Sequence, residues 1–169
     1  MFCGLPGSGN LAKRLEAEGT GVRICTDDFQ AEPGVPHQAS QFHERLQLVL
    51  YRHALALLEH GTDVILEDGL WTRGERAEKY ADAHLRGARI VLPVFDVPRD
   101  LLWARLQERR ATAHAGSYPM SEGELDSAWQ IFQPPTATEL ADIDQIRQSV
   151  VGVHPSCAVE AMVAATCGS

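Results

Sequence analysis

A glycine-rich turn near the start of the chain constrains its fold more than any other feature. The turn Gly4-Leu5-Pro6-Gly7-Ser8-Gly9 follows a short apolar segment and precedes a helical pattern that begins at Leu11. Glycines let the backbone curl so that successive N–H groups point inward at an anion. The helix that follows presents its positive N-terminal end to the same anion. The sequence therefore predicts a phosphate-binding turn between the first strand and the first helix.

Strand-like and helical patterns alternate along the rest of the chain. Apolar runs predict strands over residues 1–4, 22–26, 63–67, 88–97 and 149–153, and helical spacing predicts helices over 11–18, 38–60, 73–86, 99–113 and 121–132. Ser121 and Glu124 have the spacing of a capping box. Apolar strands alternating with helices indicate a three-layer α/β/α fold with a parallel sheet covered on both faces. Pro93 lacks a ladder donor, so we expect a bulge or an unpaired side there, and a loop over 133–138.

Length and charge limit the class of protein. The 169 residues suit one domain, which we expect over 1–153, with 154–169 as a docking helix or a disordered tail. The net charge of −8 argues against long nucleic acid as a partner. The chain has no apolar run of about 18 residues and no basic segment before its first apolar stretch, so we predict a cytoplasmic protein without a membrane span.

The four cysteines are widely scattered. The absence of a C-x-x-C pair argues against a zinc site. Cys3 and Cys25 fall in predicted strands, where we expect buried thiols without chemistry. Cys157 and Cys167 lie in the tail, and their pairing stays open.

The glycine-rich turn departs from the phosphate-binding motif G-x-x-x-x-G-K-[ST] at its last two positions. Asn10 stands in place of the lysine, and Leu11 stands in place of the hydroxyl residue. The changes remove a positive charge from the phosphates and a ligand from Mg²⁺. Lys13 or Arg14, in the first helix, would supply a substitute charge, or Lys13 is an ordinary solvated residue.

Two pairs of acids follow predicted strands. Asp27 and Asp28 come after the second strand, where a carboxylate can accept a proton from a substrate hydroxyl. Glu67 and Asp68 end the third strand, where a carboxylate can hold Mg²⁺ directly or through water. Carboxyl ends of parallel strands are where open α/β sheets bind ligands. Either pair has an alternative role as caps of the following segment.

An Arg-rich helix supplies candidate phosphate ligands. Arg105 and Arg109 are spaced i, i+4 and share one helix face. Two guanidinium groups on one face suit a phosphoryl group in transfer. A solvated arginine face is the alternative.

Together these residues resemble the P-loop kinase superfamily, in particular small AAA-family ATPase-like and polynucleotide-kinase-like proteins, which are related to zeta toxins and chloramphenicol phosphotransferases. The resemblance covers residues 1 to about 144 and includes a degenerate Walker A loop at 4–11. It also includes Asp27-Asp28-Phe29, the third strand through Asp68, Phe95-Asp96-Val97-Pro98, and the segment W-x-x-F-x-P-P-T at 129–136.

The resemblance implies a five-stranded parallel sheet of order 2-3-1-4-5 with an Arg-rich lid helix. It also implies that ATP and Mg²⁺ are bound and that the γ-phosphate passes to a hydroxyl of a small-molecule acceptor. Asp27 would be the general base, and Arg105 and Arg109 would be lid arginines. Gln30 departs from the family, because polynucleotide kinases place a substrate-binding arginine there. A relative that binds a nucleotide or phosphorylated ligand without turnover is the alternative.

Overall fold

The computed structural model describes residues 1–8, 11–36, 39–111 and 120–141, and the backbone of 144–149. The elements in these ranges are α1 (Leu11–Ala17), β1 (Val22–Ile24), α2 (Thr26–Ala31), α3 (Ser40–Glu59), β2 (Val64–Leu66), α4 (Arg73–Leu85), β3 (Val91–Asp96), α5 (Arg99–Ala111), α6 (Glu122–Ile131), α7 (Ala137–Leu140) and β4 (Asp144–Ser149). Within the same ranges, no helix has both the length and the apolar character needed to cross a bilayer.

The strands pair in parallel, as the alternating pattern predicts. β1 pairs with β2, with Val22 opposite Val64. β3 pairs with β4, with Val91 opposite Asp144. The start of the chain joins β3 through a parallel bridge between Cys3 and Val94. The α/β class is therefore confirmed, and the five-strand order 2-3-1-4-5 stays a prediction.

Pro93 does not produce a bulge, because β3 and β4 pair residue by residue along their whole length. The Pro93 carbonyl accepts a hydrogen bond from the Cys3 amide at 3.1 Å, and the Phe95 amide donates to the Cys3 carbonyl at 2.9 Å. A residue's N–H and C=O point to the same side of a strand, so the missing donor of Pro93 faces the first segment of the chain. The expectation of a bulge or an unpaired side is therefore wrong, because β3 is hydrogen-bonded on both sides and Pro93 leaves only one donor missing.

Both faces of β2 are covered by helices. Ile65 packs in one cluster with Leu11 and Leu15 of α1. The next residue, Leu66, packs in another cluster with Leu50 of α3. Successive side chains of a strand point to opposite faces, so α1 and α3 lie on opposite sides of this part of the sheet.

Three predicted boundaries are wrong. Among the described residues the last strand is β4, which begins at Asp144, five positions before the strand predicted over 149–153. The sequence of β4, DQIRQS, is polar and contains no apolar run that would have predicted a strand. It can still form a strand, because the ladder hydrogen bonds use only backbone groups. Residues 150–153 and the tail 154–169 lie outside the described residues. Thr26 begins α2 instead of ending a strand, and the predicted loop 133–138 contains the start of α7.

The helix ends follow their sequence signals. The predicted capping box of α6 is present, with the Ser121 side chain accepting from the Glu124 amide and the Glu124 side chain accepting from the Ser121 amide. Thr72 and Glu75 form a second capping box at the start of α4. Each box satisfies two backbone donors that the helix leaves open.

Candidate functional site

The described part of the glycine-rich turn, Gly4 to Ser8, lies between the first segment and α1. The Ser8 amide donates to the Leu5 carbonyl at 3.1 Å and closes a tight turn. Gly7 has a φ of +88°, a conformation that L side chains rarely adopt, and an added Cβ would lie 3.1 Å from the Leu102 carbonyl oxygen. At Gly4 an added Cβ would lie 2.9 Å from the Ser8 hydroxyl. Both glycines are therefore required by this backbone path.

Of the last three positions of the phosphate-binding motif, Gly9 and Asn10 lie outside the described residues and Leu11 lies within them. Leu11 begins α1 and is 5% exposed, packed in the core. An apolar, buried side chain thus stands where the motif has its hydroxyl. The Lys13 ammonium lies 3.6 Å from a carboxylate oxygen of Asp28, and its side chain is largely exposed. Lys13 therefore reaches towards the acids after β1.

Arg105 is the predicted lid residue that contacts the turn. Its Nη1 lies within donor distance of the Gly7 carbonyl, at 3.3 Å, and of the Ser8 carbonyl, at 3.5 Å. Arg109 lies one helical turn further along α5 and is exposed. Arg99, at the start of α5, forms ion pairs with Asp126 and Glu122 that connect α5 to α6.

Asp27 lies in the first turn of α2, with 60% of its side chain exposed. Its Oδ1 is 3.8 Å from His43 Nδ1 on α3. Gln30 is 1% exposed and donates to the Pro36 carbonyl at 2.8 Å, while its Oε1 lies 2.8 Å from His43 Nδ1. Gln30 therefore has a structural role here.

Arg23 of β1 joins the acids of three elements. Its Nε donates to Glu16 at 2.8 Å and its Nη1 donates to Glu67 at 2.5 Å, and Nη2 donates to Asp28. The Arg23 side chain is only 10% exposed. Burial opposes its charge, but the hydrogen bonds that Arg23 donates to the carboxylates outweigh burial and raise the pKa of Arg23 above its usual value. We call Arg23, Glu16, Asp28 and Glu67 the arginine cluster.

Two acids of this cluster respond differently to the same guanidinium. Burial acts to raise the pKa of Asp28, but the hydrogen bond and charge of Arg23 outweigh it and hold that pKa below its usual value. Glu67 is more deeply buried, and burial raises its pKa despite Arg23. The Glu67 carboxylate is thus already paired, which limits it as a Mg²⁺ ligand.

Asp68 is the better-placed metal candidate. Its Oδ1 accepts from the Thr26 hydroxyl at 2.9 Å, and burial raises the pKa of Asp68 above its usual value. Among the described residues, no three His, Cys, Asp or Glu side chains are grouped for a metal ion. Mg²⁺ commonly takes one or two carboxylates and completes its shell with water and phosphate oxygens. Asp68 fits that mode, in which most ligands come from water and phosphate.

Sequence reasoning missed two parts of the site. The first is Arg23, whose only signal is a charge inside an apolar strand. The second is the turn Gly69-Leu70-Trp71 after β2, which contacts the glycine-rich turn: the Gly4 amide donates to the Gly69 carbonyl at 3.1 Å, and the Trp71 indole N–H donates to the Gly4 carbonyl at 3.1 Å. No local pattern predicts either contact.

A family model described as an AAA domain matches residues 1–135. The chain belongs to the AAA domain family. A crystal structure described as a "putative kinase" from Chloroflexus aurantiacus superimposes with a TM-score of 0.69 at 14% identity, covering 97% of this chain and 95% of that chain. At this identity the likeness shows the fold alone. No curated protein matches the sequence.

The family match makes the chain an AAA domain protein, and the structural match gives it a P-loop kinase-like fold. They support the superfamily resemblance drawn from the sequence. They do not assign a substrate to this AAA domain protein, and the roles of its individual site residues stay predictions.

Proposed function

We propose that this AAA domain protein is a phosphotransferase that moves the γ-phosphate of ATP to a hydroxyl of a small-molecule acceptor. One observation carries the proposal: Thr26, two residues after β1, and Asp68, two residues after β2, are hydrogen-bonded side chain to side chain. This contact brings the acids after both strands together at the carboxyl edge of the sheet, where open α/β folds bind ligands.

The glycine-rich turn, with Gly4, Gly7 and Ser8, would hold the phosphates of ATP. The backbone amide of Gly7 is the donor in this proposal, because the Gly4 and Ser8 amides already donate to the Gly69 and Leu5 carbonyls. Gly9 and Asn10 complete the turn in this proposal, together with Leu5 and Pro6. Lys13, one turn into α1, would supply a positive charge. The φ of +88° at Gly7 supports a curled backbone of this kind.

Asp27 would accept the proton of the acceptor hydroxyl while the oxygen of that hydroxyl forms a bond to the γ-phosphorus. The bond from that phosphorus to the bridging oxygen breaks, and ADP leaves with the electron pair. Asp27 is exposed and so accessible to an acceptor. Arg105 and Arg109 would neutralise charge on the phosphoryl oxygens. Asp68, with Glu67 beside it, would hold Mg²⁺ through water, and a bound Mg²⁺ neutralises phosphate charge.

The test is ADP release from ATP and Mg²⁺ in the presence of nucleosides, sugars and aminoglycosides as acceptors. At least one acceptor should stimulate ADP formation, and Asp27→Asn should reduce the stimulated rate by about 100-fold or more. Asp100→Asn is the matched control, since Asp100 is 97% exposed at the start of α5, and it should leave the rate unchanged. A stimulated rate that survives Asp27→Asn would remove Asp27 from the mechanism.

Binding of a nucleotide or phosphorylated ligand without turnover is the second candidate. Two observations favour it: Leu11 is buried where the motif has a hydroxyl, and Glu67 is paired with Arg23. Under this candidate ATP raises the melting temperature, but no acceptor yields ADP. Asn10→Lys restores the charge of the motif and should tighten ATP binding under either candidate.

A further inference from the structure

The turn Gly69-Leu70-Trp71, here called the tryptophan turn, holds both main-chain groups of Gly4. The Gly69 carbonyl accepts a hydrogen bond from the Gly4 amide, and the Trp71 indole N–H donates one to the Gly4 carbonyl. The donor–acceptor distance is 3.1 Å in both bonds. Gly4 is the first glycine of the loop that would cradle phosphate. The tryptophan turn therefore fixes the point from which that loop begins.

The backbone of the tryptophan turn is unusual. Gly69 has a φ of +78°, and Leu70 has a φ of +45°, the only positive φ of a non-glycine residue in the described part of the chain. Such a conformation costs energy for a residue with a Cβ. Leu70 is only 3% exposed, so its side chain is held in the core while its backbone is strained.

The position of the Trp71 indole also depends on the absence of a side chain at Gly69. A Cβ at Gly69 would lie 2.5 Å from Trp71 Nε1. The glycine therefore leaves the space in which the indole N–H reaches the Gly4 carbonyl. The backbone conformation of the tryptophan turn and the position of the Trp71 indole therefore both serve the hydrogen bond to the Gly4 carbonyl.

A buried arginine holds the other side of the turn. Arg76 of α4 is fully buried, and its Nη1 donates to the carbonyls of Leu70 at 3.1 Å and Trp71 at 3.3 Å. Its other nitrogens donate to the carboxylate of Glu139 in α7, with Nη2 to Oε2 at 3.1 Å. The Gln133 amide adds a third contact, to the Trp71 carbonyl at 2.8 Å.

We propose that Trp71 is a positioning residue for the phosphate-binding loop, and that Arg76 and Glu139 hold the tryptophan turn in the conformation that lets it act. The proposal rests on the proposed function for its consequence in ATP affinity. The contact itself is a property of the free protein. Gln133, in the W-x-x-F-x-P-P-T segment at 129–136, and Glu139, just beyond that segment, thereby acquire a role, because they hold the tryptophan turn through Trp71 and Arg76.

The decisive variant is Trp71→Phe, which keeps an aromatic ring and removes the donor to the Gly4 carbonyl. Trp129→Phe is the matched control, because Trp129 is 42% exposed on α6. Amide exchange of Gly4 and Ser8, followed by NMR without nucleotide, reports on the loop directly. Loss of one hydrogen bond should accelerate that exchange by about fivefold in Trp71→Phe, with no change in Trp129→Phe.

ATP affinity gives the second readout. Trp71→Phe should weaken it by about fivefold or more through the loosened loop, beyond any change that Trp129→Phe causes. Glu139→Gln removes the carboxylate charge that pairs with Arg76 and keeps the shape of the side chain. This variant should also accelerate exchange of the Gly4 amide. This second variant carries the test if Trp71→Phe fails to fold.

The outcomes separate the two ideas. Unchanged loop exchange in folded Trp71→Phe, with a lower melting temperature alone, overturns the positioning role. An unchanged rate of Gly4 amide exchange in Glu139→Gln overturns the role of Arg76 and Glu139 in holding the tryptophan turn. Faster loop exchange in a protein whose wild type binds no nucleotide supports the positioning of the loop and rejects the proposed phosphotransferase.

Discussion

The ion pair between Arg76 and Glu139 gives the sharpest test of how the fold is held together. The side chain of Arg76 is 0% exposed and that of Glu139 is 8% exposed. Removing one member of a buried pair leaves the other charge without a partner and typically costs about 3–5 kcal/mol. Glu139→Met should therefore lower the free energy of unfolding by about 3–5 kcal/mol. With a urea dependence of about 2 kcal/mol per molar, the midpoint falls by roughly 1.5–2.5 M.

A double-mutant cycle isolates the pair. Arg76→Met alone should cost about as much as Glu139→Met, because it leaves the Glu139 carboxylate buried. The double variant replaces both charges with apolar side chains and should be more stable than either single variant. It still loses the donors to the Leu70 and Trp71 carbonyls, at about 1 kcal/mol each. We expect a coupling energy of at least about 2 kcal/mol from urea denaturation followed by circular dichroism.

The pH dependence adds an independent check. The hydrogen bond from Arg76 lowers the pKa of Glu139 from its ordinary value of 4.5. A folded-state pKa below the unfolded value gives stability that is present above pH 4.5 and is lost as the pH falls through the folded pKa. The difference between the wild type and Glu139→Met should therefore shrink below pH 4.5. Additive single effects, or a difference that is constant down to pH 3, would refute the buried-pair reasoning.

Two further predictions concern other buried charges and thiols. Arg23→Met leaves Glu67 buried without its cation, so we expect the protein to lose about 2 kcal/mol of stability at pH 7. The loss should lessen as the pH falls, because Glu67, with a pKa already raised by burial, takes up a proton in the folded state; a loss that grows with acidity, measured by urea denaturation, contradicts this. Burial raises the pKa of both the Cys3 and Cys25 thiols to about 11. At pH 8 neither thiol should react with a thiol reagent until urea unfolds the chain, as mass spectrometry of the labelled peptides would show, and rapid labelling of native Cys25 would be inconsistent with its burial.

The arginine cluster shows why part of the site was beyond the reach of sequence. Arg23 and Glu67 are 44 positions apart and meet because β1 and β2 pair in parallel, with Arg23 opposite Ile65. A shift in that register would reverse the faces of the strand and move the guanidinium away. Local patterns do not specify a register between distant strands, so the sequence showed only an isolated charge.

The local features of the chain follow from the order of its amino acids alone. The order of strands and helices, the glycine-rich turn and the capping box at Ser121 all depend on backbone conformations that neighbouring residues favour. Gly7 was predictable in this sense, because a φ of +88° suits glycine alone.

Which of these features contact one another depends on how the whole chain folds. Arg76 gave no local signal of burial, yet it bonds to Glu139, which is 63 positions away, and to the strained turn beside Gly4. Burying a charge is favourable only when its partners are in place together. Those partners come from segments that the fold alone brings into contact, which is why the support of the loop could be found only in the folded chain.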